Sequence, residues 1–237
     1  FFSEYFEGSS NNKALEIYNP TPGTIDLTPY EVRLFSNGGT VPSNTLNLAG
    51  FLSPGNVYVI INSSATNANL ISQADTSSSV SFFNGNDAVV LYHNSALLDV
   101  IGEIGMDPGT AWVVGSGATL DNTLVRRDTV HAGETNWAIG ATQWIVYPID
   151  DSAYIGSHTM ITCCSLILNI DSLVIDSSTC GLNNGNISGI AVSGGTIPLT
   201  YQWVNGFSTV VGNTANLDSV PSGSYILTVT DSNGCSG

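Results

Sequence analysis

Carboxylates are the ionisable groups this chain has in numbers, 19 Asp and Glu in 237 residues. Glu4 and Glu7 open the sequence, Asp87 follows an Asn-Gly-Asn turn, and Asp150-Asp151 stand together. Asp99, Glu103 and Asp107 recur at spacing four, but Gly102, Gly105 and Pro108 keep that stretch from being a helix. Hard oxygen donors of this kind suit Ca²⁺, and Glu4, Glu7 and Asp87 are the candidate ligands. No DxDxDG loop accompanies them, so a solvated acidic surface competes with the metal reading. A glycosidase would need two carboxyl groups facing each other about 5–10 Å apart, and nothing in the spacing points to one.

The remaining reactive types are scattered. Gly115-Ser116-Gly117 lacks the GxSxG spacing that sharpens a nucleophile turn. His93, His131 and His158 lie far apart, with no HExxH pair. Trp112, Trp137, Trp144 and Trp203 fit sandwich cores better than a sugar-stacking platform. Lys13, the single lysine, sits near Glu4, Glu7 and Glu16, where it is expected to form a surface ion pair between neighbouring strands, of small energetic value. These residues describe a protein that is not an enzyme.

The chain as a whole narrows the field further. Four Lys and Arg against those acids leave a net charge of −15, and only 10% of the residues are charged. Phosphate-neutralising surfaces need clustered basic residues, so nucleic acid is excluded as a partner, as is attraction to an anionic membrane. The polarity is uncharged instead: Asn, Ser and Thr make up nearly a third of the sequence. With 42% hydrophobic residues the chain is too apolar for an acidic disordered segment. No apolar run approaches the roughly 20 residues of a membrane helix, so no membrane insertion is expected. A signal peptide would already have been removed from a mature secreted chain.

The elements that must position these residues read as strands. Ala14–Tyr18, Val57–Ile61, Ala88–Tyr92, Leu98–Ile101 and Trp144–Tyr147 are short apolar runs punctuated by turn signals such as Ser53-Pro54-Gly55 and Asp107-Pro108-Gly109. Only 65–74 admits a short helix, with Ser63 or Ser64 as its cap. A seam falls near Cys163. Beyond it, strand-like runs at Ser172–Ile175, Asn186–Val192, Leu199–Val204 and Tyr225–Thr230 fit a minimal immunoglobulin-like sandwich. The expected fold is all-β, with two immunoglobulin-like β-sandwich domains in tandem over 1–162 and 163–237. Four cysteines, Cys163, Cys164, Cys180 and Cys235, in a Ser/Thr/Asn-rich chain point to an oxidising, extracytoplasmic location.

Several runs carry a resemblance. Ser3-Glu4-Tyr5-Phe6-Glu7-Gly8 with Lys13-Ala14-Leu15-Glu16-Ile17-Tyr18-Asn19, then Asn84-Gly85-Asn86-Asp87-Ala88-Val89, Asp99-Val100-Ile101-Gly102, Asn122–Arg127 and Gly156-Ser157-His158-Thr159 resemble bacterial lamin-tail-type domains over about 1–160. The resemblance implies an immunoglobulin-type sandwich used as an accessory or binding module, appended to secreted nucleases and phosphatases or to surface proteins. Asn86 stands where many relatives carry Asp, which weakens a carboxylate pair beside Asp87.

The second half is similar to the SprB-type repeats of Bacteroidetes gliding adhesins, which are like polycystic-kidney-disease domains. Cys180-Gly181, Val192-Ser193-Gly194-Gly195-Thr196, Tyr201-Gln202-Trp203, Gly223-Ser224-Tyr225, Thr228–Asp231 and Asn233-Gly234-Cys235 carry that likeness. In the fold it implies, the end of the first strand meets the last, so Cys180 and Cys235 are expected to bond, stabilising by about 4 kcal/mol. Cys163 and Cys164 are left open between a vicinal bridge, free thiols and cross-linking. The resemblance also implies export by type 9 secretion, and the sequence reads as the ordered or processed part of a longer protein. Asp-Ser/Thr followed by a small or aliphatic residue is the O-glycosylation pattern of such secreted proteins, and it occurs at Thr129, Ser152, Ser172 and Ser219. Asp/Ser turn chemistry is the alternative.

The expectation is therefore a non-enzymatic extracellular structural or adhesive protein of a Bacteroidetes-type cell surface, without cofactor unless Ca²⁺. Its partners would be copies of itself, surface proteins or glycans, and its Phe1-Phe2 end is a candidate for self-assembly. The alternatives are the accessory region of a secreted nuclease or phosphatase and a carbohydrate-binding module.

Overall fold

A computed structural model describes residues 1–161, 166–232 and 234–237. The chain is all-β and forms two immunoglobulin-like sandwiches in tandem, as compact units Phe1–Ile161 and Thr162–Gly237.

Unit 1 runs β1 (Phe2–Glu7), β2 (Lys13–Tyr18), β3 (Ile25–Asp26), β4 (Tyr30–Phe35), β5 (Asn44–Asn47), β6 (Phe51–Leu52), β7 (Val57–Ile61), helix α1 (Ala68–Gln73), β8 (Thr76–Ser77), β9 (Ala88–His93), β10 (Ala96–Ile101), β11 (Val113–Val114), β12 (Gly117–Ala118), β13 (Asn122–Arg126), helix α2 (Trp137–Gly140) and β14 (Trp144–Pro148). A six-stranded sheet in the order β14-β13-β1-β2-β7-β8 packs on a four-stranded sheet, β10-β9-β4-β5.

Registers make the packing explicit. One rung of the larger sheet reads Leu124, Tyr5, Leu15, Ile60 across β13, β1, β2 and β7. All four side chains are buried in the main core with Val32, Leu34, Val89 and Leu91 of the smaller sheet, and each contributes about 1.5–3 kcal/mol of burial. Tyr5 also stacks on Phe83, centroids 4.4 Å apart. The next rung, Thr123, Phe6, Ala14, Ile61, faces the other way. There Phe6, Ala14 and Ile61 meet Leu70 of α1 and Ile155 in a second cluster. Both faces of the sheet are thus covered, and every residue of β1 and β2 is buried, including Ser3, Glu4, Glu7, Lys13 and Glu16. Because this pair of strands is covered on both sides, β1 shows no polar-out alternation.

α1 differs from expectation at its start. Asn67, not Ser63 or Ser64, is its cap: the side-chain oxygen accepts from the amides of Asn69 and Leu70.

Unit 2 contains β15 (Ile167–Asn169), β16 (Val174–Asp176), β17 (Gly185–Ser188), β18 (Ala191–Ser193), β19 (Thr200–Asn205), β20 (Val210–Gly212), β21 (Leu217–Val220) and β22 (Tyr225–Thr230). Sheets β16-β17-β21 and β20-β19-β22 enclose Trp203, Leu217 and Val220. The run 186–192 is two strands, broken at Gly189. Its φ is +80°, and a Cβ there would strike the carbonyl of Ser172, so only glycine fits.

The expected Cys180–Cys235 bond is not formed. Cys180 is a free, exposed thiol, while Cys235 is disulfide-bonded. The reason is topological. Cys180 lies between β16 and β17 of one sheet, whereas Cys235 follows β22 of the other. The segment that reaches the chain end is the start of unit 2: the Cβ position of Gly237 lies 2.9 Å from Leu168 and 3.1 Å from Leu166. Cys163 and Cys164 lie outside the described residues.

Candidate functional site

Most charged side chains singled out in the sequence are drawn into the framework of unit 1. Lys13 and Glu7 are directly opposite in the β1–β2 register. The ammonium donates to the Glu7 carboxylate (3.0 Å), the Phe83 carbonyl (2.6 Å) and the Asn84 side-chain oxygen (3.5 Å). The expected cross-strand pair therefore exists, but it is buried rather than on the surface, and removing one partner would strand a charge out of water. Burial raises the Glu7 carboxyl, and Lys13 opposes that shift.

A second pair joins the sheets. The Arg126 guanidinium donates to Asp99, with both side chains fully buried. Asp99 also accepts from the amides of Phe2 (2.8 Å), Val100 (3.0 Å) and Glu134 (3.0 Å), and Arg126 donates to the Phe2 carbonyl (3.0 Å). The Trp144 ring lies 4.1 Å from the guanidinium. Arg33 bonds Glu31 and lies 4.4 Å from the Tyr92 ring.

The calcium candidates are not brought together. Glu4 belongs to the rung Val125, Glu4, Glu16, Val59, on the face with Phe6, whereas Glu7 lies on the Tyr5 face. Asp87 organises loops: its carboxylate accepts from the amides of Asn37 (2.8 Å) and Asn84 (2.7 Å). Its carbonyl accepts from the Trp112 indole (3.1 Å). Among the described residues, no group of three or more His, Cys, Asp or Glu is placed to hold a metal.

Glu4 has an unusual position. It is 1% exposed, and neither carboxyl oxygen has a hydrogen-bond partner among the described residues. Burial, then Glu16 and Asp151, push it up to about 9, so it is neutral at pH 7. Its neighbour Glu16 accepts from the Ser3 hydroxyl and the Gly156 amide, each at 2.6 Å. That second bond ties the 150–158 segment onto the sheet. The sequence motifs contain both Glu16 and Gly156, but no signal marked their contact, because it spans 140 positions.

The other candidates fall in place separately. All four tryptophans are buried, which removes the stacking platform. His93 stacks on Tyr30 at 4.4 Å. His158 packs edge-on to Tyr18 at 4.9 Å, and burial, then Arg126, lowers it to about 4. Phe1 and Phe2 are 8% and 0% exposed; Phe2 is a strand residue of the core, so this end is not free for self-assembly. Thr129, Ser172 and Ser219 are exposed, whereas Ser152 is half-buried, its carbonyl accepting from the Asn69 side chain.

Sequence reasoning missed a cavity at one end of unit 1. It has a volume of about 360 Å³ and lies among Ser10, Asn11, Lys13, Asn62, Ser64, Phe82 and Asn84. In unit 2, a cavity of about 270 Å³ is lined by apolar side chains of both sheets, among them Ile175, Ile187, Trp203 and Leu227.

The family comparison covers the first part of unit 1. The family model of the Lamin Tail Domain matches residues 1–105. The match covers β1 to β10, hence Lys13–Glu7, Asp87 and Asp99. The lamin-tail match ends before β13, which supplies Arg126 and pairs with β1. No curated protein and no solved structure matches the chain. No helix among the described residues is long and apolar enough to cross a membrane.

Proposed function

We propose that this chain is a non-enzymatic, extracellular structural or adhesive segment, a lamin-tail module followed by an SprB-type repeat. A lamin-tail module of immunoglobulin type is consistent with a non-catalytic role, and its buried ion pairs serve the framework. The observation that carries the adhesive part is in unit 2. Ile170 and Ile175 are each 62% exposed beside the apolar cavity, whose further lining includes Leu168, Leu173 and Leu227. Contiguous exposed apolar surface of this kind marks interaction sites. The edges β16 and β22 flank it, and a sheet edge takes an added strand through main-chain bonds. Assembly through apolar and backbone contacts also suits a chain whose net charge of −15 opposes charge-driven self-association.

Antibody labelling of intact cells, followed by imaging of the native material, tests this reading. Surface label with filaments or patches is expected. Label only after permeabilisation would overturn it.

A carbohydrate-binding role is the second reading, favoured by the polar cavity of unit 1.

A further inference from the structure

The cavity of about 360 Å³ in unit 1 is built by three loops. Ser10 and Asn11 come from the β1–β2 hairpin, Ser64 from the loop after β7, and Phe82 and Asn84 from the segment before β9. Its volume falls within the range of small-molecule clefts, which begins near 300 Å³.

The walls are held in place by hydrogen bonds within and around the rim. Gly8 donates its amide to the Asn12 carbonyl (2.8 Å), and Ser9 donates to Asp150 (2.9 Å). The Asn12 side-chain oxygen accepts from the amides of Thr66 and Asn67, each at 2.8 Å. Asn62 donates to the Ser81 carbonyl (3.2 Å) and accepts from the Ser64 amide (2.9 Å). These bonds fix the hairpin against both neighbouring loops, so a ligand would meet a preformed rim with little left to order.

Apart from Lys13, the groups facing the cavity are uncharged. Ser10, Asn11, Ser64 and Asn84 are exposed. Asn84 turns its oxygen to the Lys13 ammonium, which leaves its NH₂ for a ligand. A primary amide offers both donor and acceptor, the pattern a pair of adjacent sugar hydroxyls presents in reverse. Phe82 is 49% exposed and supplies an aromatic wall, with a negative face for the polarised C–H groups of a pyranose ring. Lys13 at the floor does not make this an anion site, because Glu7 neutralises it at 3.0 Å. The acidic surface further disfavours anionic ligands.

We infer that this cavity binds one neutral pyranose residue of a glycan. The inference deepens the second, carbohydrate-binding reading and rests on it, by naming the sugar class and the residues that would hold it. The test is an amide-shift titration of the ¹⁵N-labelled chain with glucose, galactose, mannose and N-acetylglucosamine separately, with glucuronate as a charged control. At least one neutral sugar should shift the Ser10, Asn11 and Ser64 amides saturably in the millimolar range, and more strongly than glucuronate. Asn11→Ala and Phe82→Ala should each weaken that binding about tenfold, with spectra otherwise those of a folded chain. The inference is overturned if no neutral sugar shifts these amides, if glucuronate shifts them equally, or if both variants bind as the parent does. Cell attachment that persists without such shifts would overturn the sugar site while leaving the adhesive reading standing.

Discussion

Arg126 and Asp99 bond to each other with neither side chain exposed to solvent, and together they hold β1 through the amide and the carbonyl of Phe2. The pair links β13 of the larger sheet to β10 of the smaller one.

Breaking that pair from one side leaves a charge buried without its partner. Arg126→Leu and Asp99→Asn should each destabilise unit 1 by about 3–5 kcal/mol, read as a lower urea midpoint. The double variant should lose less than the two single losses added together. Additive losses would show that the two side chains act independently.

Glu4 makes stability depend on pH in a defined direction. A carboxyl held at about 9 when folded and near its ordinary value of about 4.3 when unfolded binds more protons in the folded state. Its contribution is therefore complete at low pH and declines as pH rises towards 9. His158, lowered to about 4, acts oppositely, but only below its ordinary value of about 6.5. Above pH 7 the Glu4 effect stands clear of it. Glu4→Gln, which mimics the neutral acid, should match the parent's melting temperature only near pH 4, exceed it already at pH 7 and exceed it further at pH 9.5. Parallel melting-temperature profiles from pH 7 to 9.5 would refute this account of Glu4.

The cap of α1 gives a smaller effect. Asn67→Ala removes the acceptor for the amides of Asn69 and Leu70 and should cost about 1 kcal/mol. Ser63→Ala and Ser64→Ala should change stability by less than half of that.

The cysteines can be read by labelling. A thiol reagent applied to the native, unreduced chain should modify Cys180, which is free and exposed, and leave Cys235 unmodified. Cys180→Ser should be neutral, whereas Cys235→Ser should cost about 2–5 kcal/mol. Modification of Cys235 without reductant would contradict the assignment.

These sites differ in how legible they were. Val57–Ile61 and Ala88–Tyr92 read as strands because β-branched and aromatic residues dominate them. β1 shows no alternation: its buried Glu4 and Glu7 mimic a polar segment, and only the family motif marked it. The Lys13–Glu7 pair could be anticipated from proximity across a hairpin, but its burial could not, since that depends on Phe83 closing over it. Asp99–Arg126 and Glu16–Gly156 join distant stretches, and local spacing carries no record of them. The cysteine pairing failed for a related reason. Ser172–Ile175 reads as the first strand of unit 2, but Ile167–Asn169 precedes it, and which strand reaches the chain end is a property of topology. The cavity at Ser10, Asn11, Ser64, Phe82 and Asn84 uses ordinary turn residues from three loops, so no motif announces it.

The adhesive reading meets its most direct test in cell attachment. Cells lacking the protein, cells restored with the parent chain, and cells restored with Ile170→Asp/Ile175→Asp would be compared for attachment to surfaces and to one another. Both substitutions fall at exposed positions, where folding tolerates change. The account predicts that attachment is lost without the protein, returns with the parent chain, and does not return with the charged variant present at the cell surface in equal amount. Attachment unchanged by the protein's absence would contradict it.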